Sequence, residues 1–129
     1  MKRIISTPNA PEAIGPYSQT VEIDGTLYIS GQVPLNPKTM KVVEGGIREQ
    51  TLQVMDNIGA ILKAAGYSYE DVVKSTCLLN DMKDFKAMNE VYGSFYPENP
   101  PARAAYAVKE LPLGVLVEIE TIAVRNKTA

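Results

Sequence analysis

The chain contains no histidine and only one cysteine among its 129 residues. The missing histidine removes the commonest general base, the usual proton shuttle and the commonest metal ligand together. Cys77 stands alone in an apolar run, so no intrachain disulfide forms and no cysteine-based zinc site can be assembled. No metal and no cofactor are expected. Blocks of like charge are also absent. The net charge is −2, from 13 Lys and Arg against 15 Asp and Glu, and the basic residues are scattered. That pattern argues against a protein whose affinity comes from neutralising phosphates, so nucleic acid is a weak candidate partner. No window approaches a membrane span, and Met1-Lys2-Arg3-Ile4-Ile5-Ser6-Thr7-Pro8 lacks the apolar run of a signal peptide. The expected location is therefore cytoplasmic, with no membrane partner, and there the Asn126-Lys127-Thr128 sequon carries little meaning.

What is present describes a folded domain. The chain is 45% hydrophobic and 22% charged, which lies in the ordinary globular range. Its length suits one domain spanning residues 1–129, enough to bury roughly two-thirds of the unfolded surface around a single core.

Residues 17–33 read as a β-hairpin, Tyr17 to Ile23 and Leu27 to Val33, around the Asp24-Gly25 turn pair. Counting outward pairs Ile23 with Thr26, Glu22 with Leu27, Val21 with Tyr28, Thr20 with Ile29 and Gln19 with Ser30. A short strand is expected around Lys2 to Ile5. After the Pro34 to Lys38 break and Gly45-Gly46, a helix is expected over 47–65, with Ile47, Thr51, Val54, Met55, Ile58, Ile61, Leu62 and Ala65 on its buried face and Gly66 ending it. Residues 71–79 read as a buried strand. A second helix follows, capped by Asp81 or Asp84 and running to about Tyr96, with Phe85, Met88, Val91, Tyr92 and Phe95 as its buried stripe. Residues 102–108 and 115–124 are the last two strands, joined by Leu111-Pro112-Leu113-Gly114.

The order is β-β-β-α-β-α-β-β, an α+β mixed sheet with both helices on one face. In the last strand, Val115, Val117, Ile119, Thr121 and Ala123 suit the helix side, leaving Leu116, Glu118, Glu120, Ile122 and Val124 on the other. Uncovered, that second face would expose a sizeable apolar patch together with Tyr28, so a closed homo-oligomer packed through the sheet face is expected.

The candidate chemistry lies near the C-terminus. Pro100-Pro101-Ala102-Arg103 is followed fifteen residues on by Val117-Glu118-Ile119-Glu120. A guanidinium is a rigid two-donor fork for a carboxylate, and an ionised glutamate accepts a proton from water. The hairpin-like link puts Arg103 and Glu118 on adjacent strands, in a register left open by a residue or more. Glu118 and Glu120, at alternate positions, stand about 7 Å apart.

Four segments, Gly15-Pro16-Tyr17-Ser18-Gln19, Ser30-Gly31-Gln32-Val33-Pro34, Pro101-Ala102-Arg103 and Val117-Glu118-Ile119-Glu120-Thr121-Ile122-Ala123, resemble the RidA (YjgF-like) family in order and nearly end to end. The resemblance implies a chorismate-mutase-like fold, a homotrimer whose sheets close a central barrel, and active sites between subunits. It implies hydrolysis of 2-imino acids or their enamine tautomers, such as 2-iminobutanoate and 2-iminopropanoate, to 2-oxo acids and ammonia. Under the same resemblance Arg103 binds the substrate carboxylate, Glu118 positions or activates water, and Tyr17, Ser30, Gly31 and Asn89 line the pocket, with Glu120 in support. Ala105 departs from the pattern, since many relatives carry Cys or Ser there, so no thiol or hydroxyl acts at that position. An imino acid is already electrophilic at C2, and its hydrolysis needs only orientation, a placed water and proton transfers. Two alternatives remain: RNA cleavage with inhibition of translation, an activity attributed to some relatives, and a non-catalytic trimer that binds 2-oxo acids.

Overall fold

The computed structural model describes residues 1–125, and the Asn126-Lys127-Thr128 sequon lies outside the described residues. The elements follow the expected order: β1 (Arg3–Ile5), β2 (Thr20–Ile23), β3 (Thr26–Gln32), α1 (Ile47–Ala65), β4 (Val72–Leu79), α2 (Phe85–Ser94), β5 (Ala102–Ala107) and β6 (Val117–Val124). Single 3₁₀ turns precede β4, α2 and β6. The first two take up Asp71 and Met82 to Asp84, so that β4 starts at Val72 and α2 at Phe85, while the third lies within the expected Leu111 to Gly114 link and β6 starts at Val117 rather than Val115.

The β2–β3 hairpin has the register that its turn dictates, with Ile23 opposite Thr26 and Thr20 opposite Ile29. Asp24 and Gly25 both adopt positive φ, 48° and 79°. The strand begins at Thr20 rather than Tyr17, although the Ser30 amide still reaches the Gln19 carbonyl at 3.1 Å. Helix α1 starts where the Glu49 carboxylate turns back to accept from the Gly46 amide at 2.8 Å, and ends at Gly66 in the left-handed region. Its Val54, Met55, Ile58, Ile61 and Leu62 are almost wholly buried, each contributing roughly 1.5–3 kcal/mol by leaving water. Asp81 provides the side-chain cap before α2, accepting from the Lys83 amide at 2.8 Å, whereas Asp84 makes no such bond. The α2 stripe is narrower than expected. Met88 and Tyr92 are buried, Val91 stays at the margin, and Tyr96 beyond the helix joins the core instead.

The sheet order is β1-β2-β3-β6-β4-β5. Strand β4 pairs with β5 in parallel and with β6 antiparallel, so β3, β4 and β5 all run in one direction. Strands that follow one another in the same direction need a crossover, and α1, from β3 over β6 to β4, and α2, from β4 to its neighbour β5, supply the two on one face. This overturns the expected adjacency of the last two strands: β5 and β6 are separated by β4. Burial explains the arrangement. Val117, Ile119, Thr121 and Ala123 of β6 are at most 1% exposed, which only a central slot allows. Strand β5, with the sequence ARAAYA, has little apolar volume to bury and takes the edge.

The open face carries Tyr28 and Val124, 47% and 40% exposed, with Leu116 and Ile122 partly covered beside them. No helix of the described residues is long and apolar enough to cross a membrane.

Candidate active site

Strand β3 loses its simple pairing where the site begins. Ile29 faces Thr121 and Gln32 faces Ile119, so Ser30 and Gly31 together oppose the single residue Glu120. This bulge turns the β3 backbone away from the ladder beside both glutamates, a device common next to functional sites. Gly31 is required there by contact. A Cβ on Gly31 would lie 3.0 Å from the Glu118 carboxyl carbon and overlap its Oε2. The Ser30 hydroxyl donates to the Ser18 carbonyl at 2.6 Å, so it ties the bulge to the segment before β2 as well as lining the cleft.

That preceding segment forms the opposite wall. Gln19, only 4% exposed, accepts from the Thr7 amide at 2.8 Å and donates to the Pro11 carbonyl at 2.9 Å, folding residues 7–11 over the bulge. The Tyr17 hydroxyl accepts from the Ile14 amide at 3.4 Å, while its ring stays half exposed. Tyr17, Ser30, Gly31 and Glu118 thus line one cleft of about 560 Å³, joined by Gln19, Ile14 and Leu113, which sequence reasoning did not place there. Gln19 carried a signal in the sequence, as the last residue of the Gly15-Pro16-Tyr17-Ser18-Gln19 motif just ahead of β2. Burial raises the Glu118 carboxyl above the usual glutamate range, and the negative charge of Glu120 adds to the rise. A carboxylate in that condition is a stronger proton acceptor than an exposed one. Glu120 itself is exposed.

Arg103 and Asn89 lie elsewhere. Arg103 pairs with Ser75 of β4, whose side chain is buried under the helices, and its guanidinium reaches α2. There Nη1 donates to Asn89 Oδ1 at 2.7 Å, and the guanidinium carbon lies 5.2 Å from the Tyr92 ring centre and 5.5 Å from that of Phe85. Cation–π contact on these rings restricts the guanidinium, and among the described residues no carboxylate pairs with it. Arg103 also lines a separate cleft with Asn89, Pro100 and Pro101. Phe85, Asn89 and Tyr92 fall at four- and three-residue spacings, the helical pattern that places them on one face and that the sequence displayed.

Glu118, by contrast, pairs with Leu78, on the face opposite to Ser75, Cys77 and Leu79. Arg103 and Glu118 therefore do not meet within one chain. Ala105 pairs with Cys77, and the pair packs into the core as a methyl beside a thiol. Burial pushes the Cys77 thiol up to about 11, with Arg103 opposing the rise, so it stays neutral. Among the described residues no three Cys, Asp or Glu side chains gather as a metal site.

Comparison with known proteins places this arrangement. A RutC family protein of Pyrococcus horikoshii is 54% identical over 126 residues, spanning 98% of this chain and all of that protein. A Mus musculus protein named 2-iminobutanoate/2-iminopropanoate deaminase is 53% identical over 126 residues, spanning 98% of this chain and 93% of that one. The crystal structure of RidA from an Antarctic Psychrobacter superposes with a TM-score of 0.92 at 47% identity, covering 95% of this chain and 99% of that one. The structure of Escherichia coli TdcF with bound serine matches at a TM-score of 0.92 and 39% identity, over 96% and 99% of the two chains. The sequence model described as Endoribonuclease L-PSP matches residues 7–125, and the chain belongs to that family, the YjgF/RidA family that its four motifs resemble.

Proposed function

We propose that this protein is a hydrolytic deaminase of reactive 2-imino acids, acting at sites shared between neighbouring copies of the chain in a closed homotrimer. The observation that carries the reading is the division of the residues into two half-sites. Glu118, Tyr17, Ser30 and Gly31 open onto one cleft, while Arg103 and Asn89 present free donors at the far edge of the sheet, behind β4. A neighbour that covers the apolar sheet face brings its Arg103 to the Glu118 cleft. The names borne by relatives about half identical to this chain supply the reaction, and serine in a structural neighbour shows a small amino acid held by a similar fold.

In this reading Arg103 holds the substrate carboxylate as a two-donor fork. That fixes C2 against a water beside Glu118. The water oxygen adds to C2 as Glu118 accepts one of its protons. The imine nitrogen, protonated, becomes the leaving amine of the tetrahedral adduct. Glu118 returns its proton to that amine, and collapse then breaks C2–N and forms the C2=O bond as the adduct's hydroxyl proton passes to Glu118 and on to solvent, releasing ammonia. One water is consumed for each 2-oxo acid and ammonia formed. The raised affinity of Glu118 for protons suits it to both transfers.

The test is a threonine dehydratase reaction run with semicarbazide. The protein should lower the trapped imine and speed the release of 2-oxobutanoate. No effect on trapping, together with binding of 2-oxobutanoate, would replace the enzyme with a metabolite-binding trimer. Cleavage of a labelled RNA at physiological salt without imine hydrolysis would favour ribonuclease action, which the net charge of −2 and the absence of histidine support poorly.

A further inference from the structure

Leu113 is held in a backbone conformation that its side chain disfavours. Its φ and ψ are 58° and 15°, Gly114 follows at φ 65°, and the Val115 amide donates to the Pro112 carbonyl at 3.2 Å. Two left-handed central residues closed by that bond make a type I′ turn, where Asn, Asp and Gly dominate. The other non-glycine residues at positive φ have an evident reason for it. Asp24 and Asn99 belong to the tolerant type, and Met40 follows a turn in which the Asn36 side chain accepts from the Lys38 and Thr39 amides. Leu113 is bracketed by backbone bonds alone, the Gly114 amide to the Leu111 carbonyl and the Val115 amide to the Pro112 carbonyl, each 3.2 Å, and its side chain makes no local bond that would favour the left-handed region. Its side chain is 65% exposed, so core packing does not hold it.

A leucine that is both strained and exposed is explained by what it faces. Leu113 lines the Glu118 cleft, and its neighbours at the mouth are Ile14 and Tyr17, 65% and 50% exposed. Val33, Leu35 and Pro112 add apolar surface to the lining, with Glu12 and Glu120 as its further acids beside Glu118. The cleft's 560 Å³ lies in the range of roughly 300–1,000 Å³ that accommodates ligands much larger than a three-carbon acid. Backbone strain of this kind concentrates at ligand clamps and active sites.

We infer that Leu113 is the specificity-determining residue of this cleft, selecting 2-imino acids with branched apolar side chains over those with a methyl group. The inference rests on the imine-hydrolase reading above. With the carboxylate on an arginine and C2 beside Glu118, the substrate side chain is the part left to contact Ile14, Tyr17 and Leu113. An apolar contact of one or two carbons discriminates about tenfold or more.

The experiment uses imines generated in situ from L-leucine and from L-alanine by an amino acid oxidase with catalase, with semicarbazide as competing trap. The full-length protein and its Leu113→Asn and Leu113→Met variants are compared. Asn suits the I′ turn, so its melting temperature should not fall. The leucine-to-alanine ratio of kcat/KM should drop about tenfold in Leu113→Asn and be largely kept in Leu113→Met, whose side chain remains apolar and of similar volume. An unchanged ratio in Leu113→Asn overturns the inference while leaving the hydrolase reading intact. Equal loss on both substrates together with a smaller particle mass also overturns it, because Leu113 would then be an assembly residue. A parent protein that hydrolyses neither imine removes the hydrolase reading, and this inference with it.

Discussion

Arg103 and Glu118 lie on opposite faces of one sheet with β4 between them: Arg103 is in register with Ser75 and Glu118 with Leu78, three residues further along the same strand. A clamp and a base so disposed serve one substrate only if different copies of the chain supply them.

Mixed subunits test this directly. Arg103→Ala and Glu118→Gln should each abolish imine hydrolysis when assayed alone. Refolded together in equal amounts, they should recover about a quarter of the parental activity, because a shared site is intact whenever its glutamate and its arginine come from the complementary parents. Recovery near zero, with mixed particles demonstrated by mass, would show that each chain builds its own site.

Gly31→Ala should lower kcat/KM by about 100-fold, the penalty expected for displacing a catalytic group by an ångström. The added methyl overlaps the Glu118 carboxyl group, which has to rotate away. Stability should change little, since the displaced carboxyl group is only partly buried and has room to move. Thermal melting beside steady-state kinetics separates the two effects, and a loss of melting temperature in step with activity would point to a fold defect instead.

The pH profile carries a sign that can be worked out. Burial and Glu120 raise the Glu118 carboxyl, so the group takes up a proton at a higher pH than an ordinary glutamate, whose value is about 4.3. The proposed mechanism uses the ionised form, and kcat/KM should therefore climb along an acid limb centred above that value. Glu120→Gln removes the like charge and should move the limb to lower pH without abolishing activity. The same shift bears on stability: ionising Glu118 costs more in the folded chain, so its contribution to stability declines as pH rises through the ordinary value toward the raised one. An acid limb unmoved by Glu120→Gln would remove the coupling between the two acids.

Tyr92 supports the guanidinium through its ring, with the Arg103 carbon 5.2 Å from the ring centre. Its hydroxyl is buried and makes no hydrogen bond in this structure. Tyr92→Phe should accordingly preserve KM. Tyr92→Leu should raise KM by a factor of roughly 2–5, the equivalent of about 0.5–1 kcal/mol of cation–π contact, with a smaller effect on kcat. Equal behaviour of the two variants would make the ring a packing residue only.

Local physics made much of the fold legible from the chain. Asp24-Gly25 accepts two left-handed residues and so dictates the β2–β3 register, and the 3.6-residue apolar period with Gly66 behind it delimits α1 over Ile47–Ala65. Alternation in β6 separates the buried valine and isoleucine face from the glutamates. Strand adjacency was not legible in the same way. A link such as Leu111 to Gly114 resembles a hairpin, and only competition for buried slots sends β6 between β3 and β4 and leaves alanine-rich β5 at the edge.

The sequence by itself determined the chemistry available. A chain with no histidine and one buried cysteine can offer an arginine, glutamates and hydroxyls, and their motifs lie in the order of one family. What tertiary structure alone decided is which of these groups meet. The β3 bulge sets Gly31 against Glu118, the Gln19 hydrogen bonds fold the N-terminal segment over the cleft, and α2 seats Arg103 on Tyr92 and Asn89 behind the sheet. Residue spacing along a strand specifies a face, but contact across strands depends on which strand wins each place in the sheet, and burial of the whole core settles that.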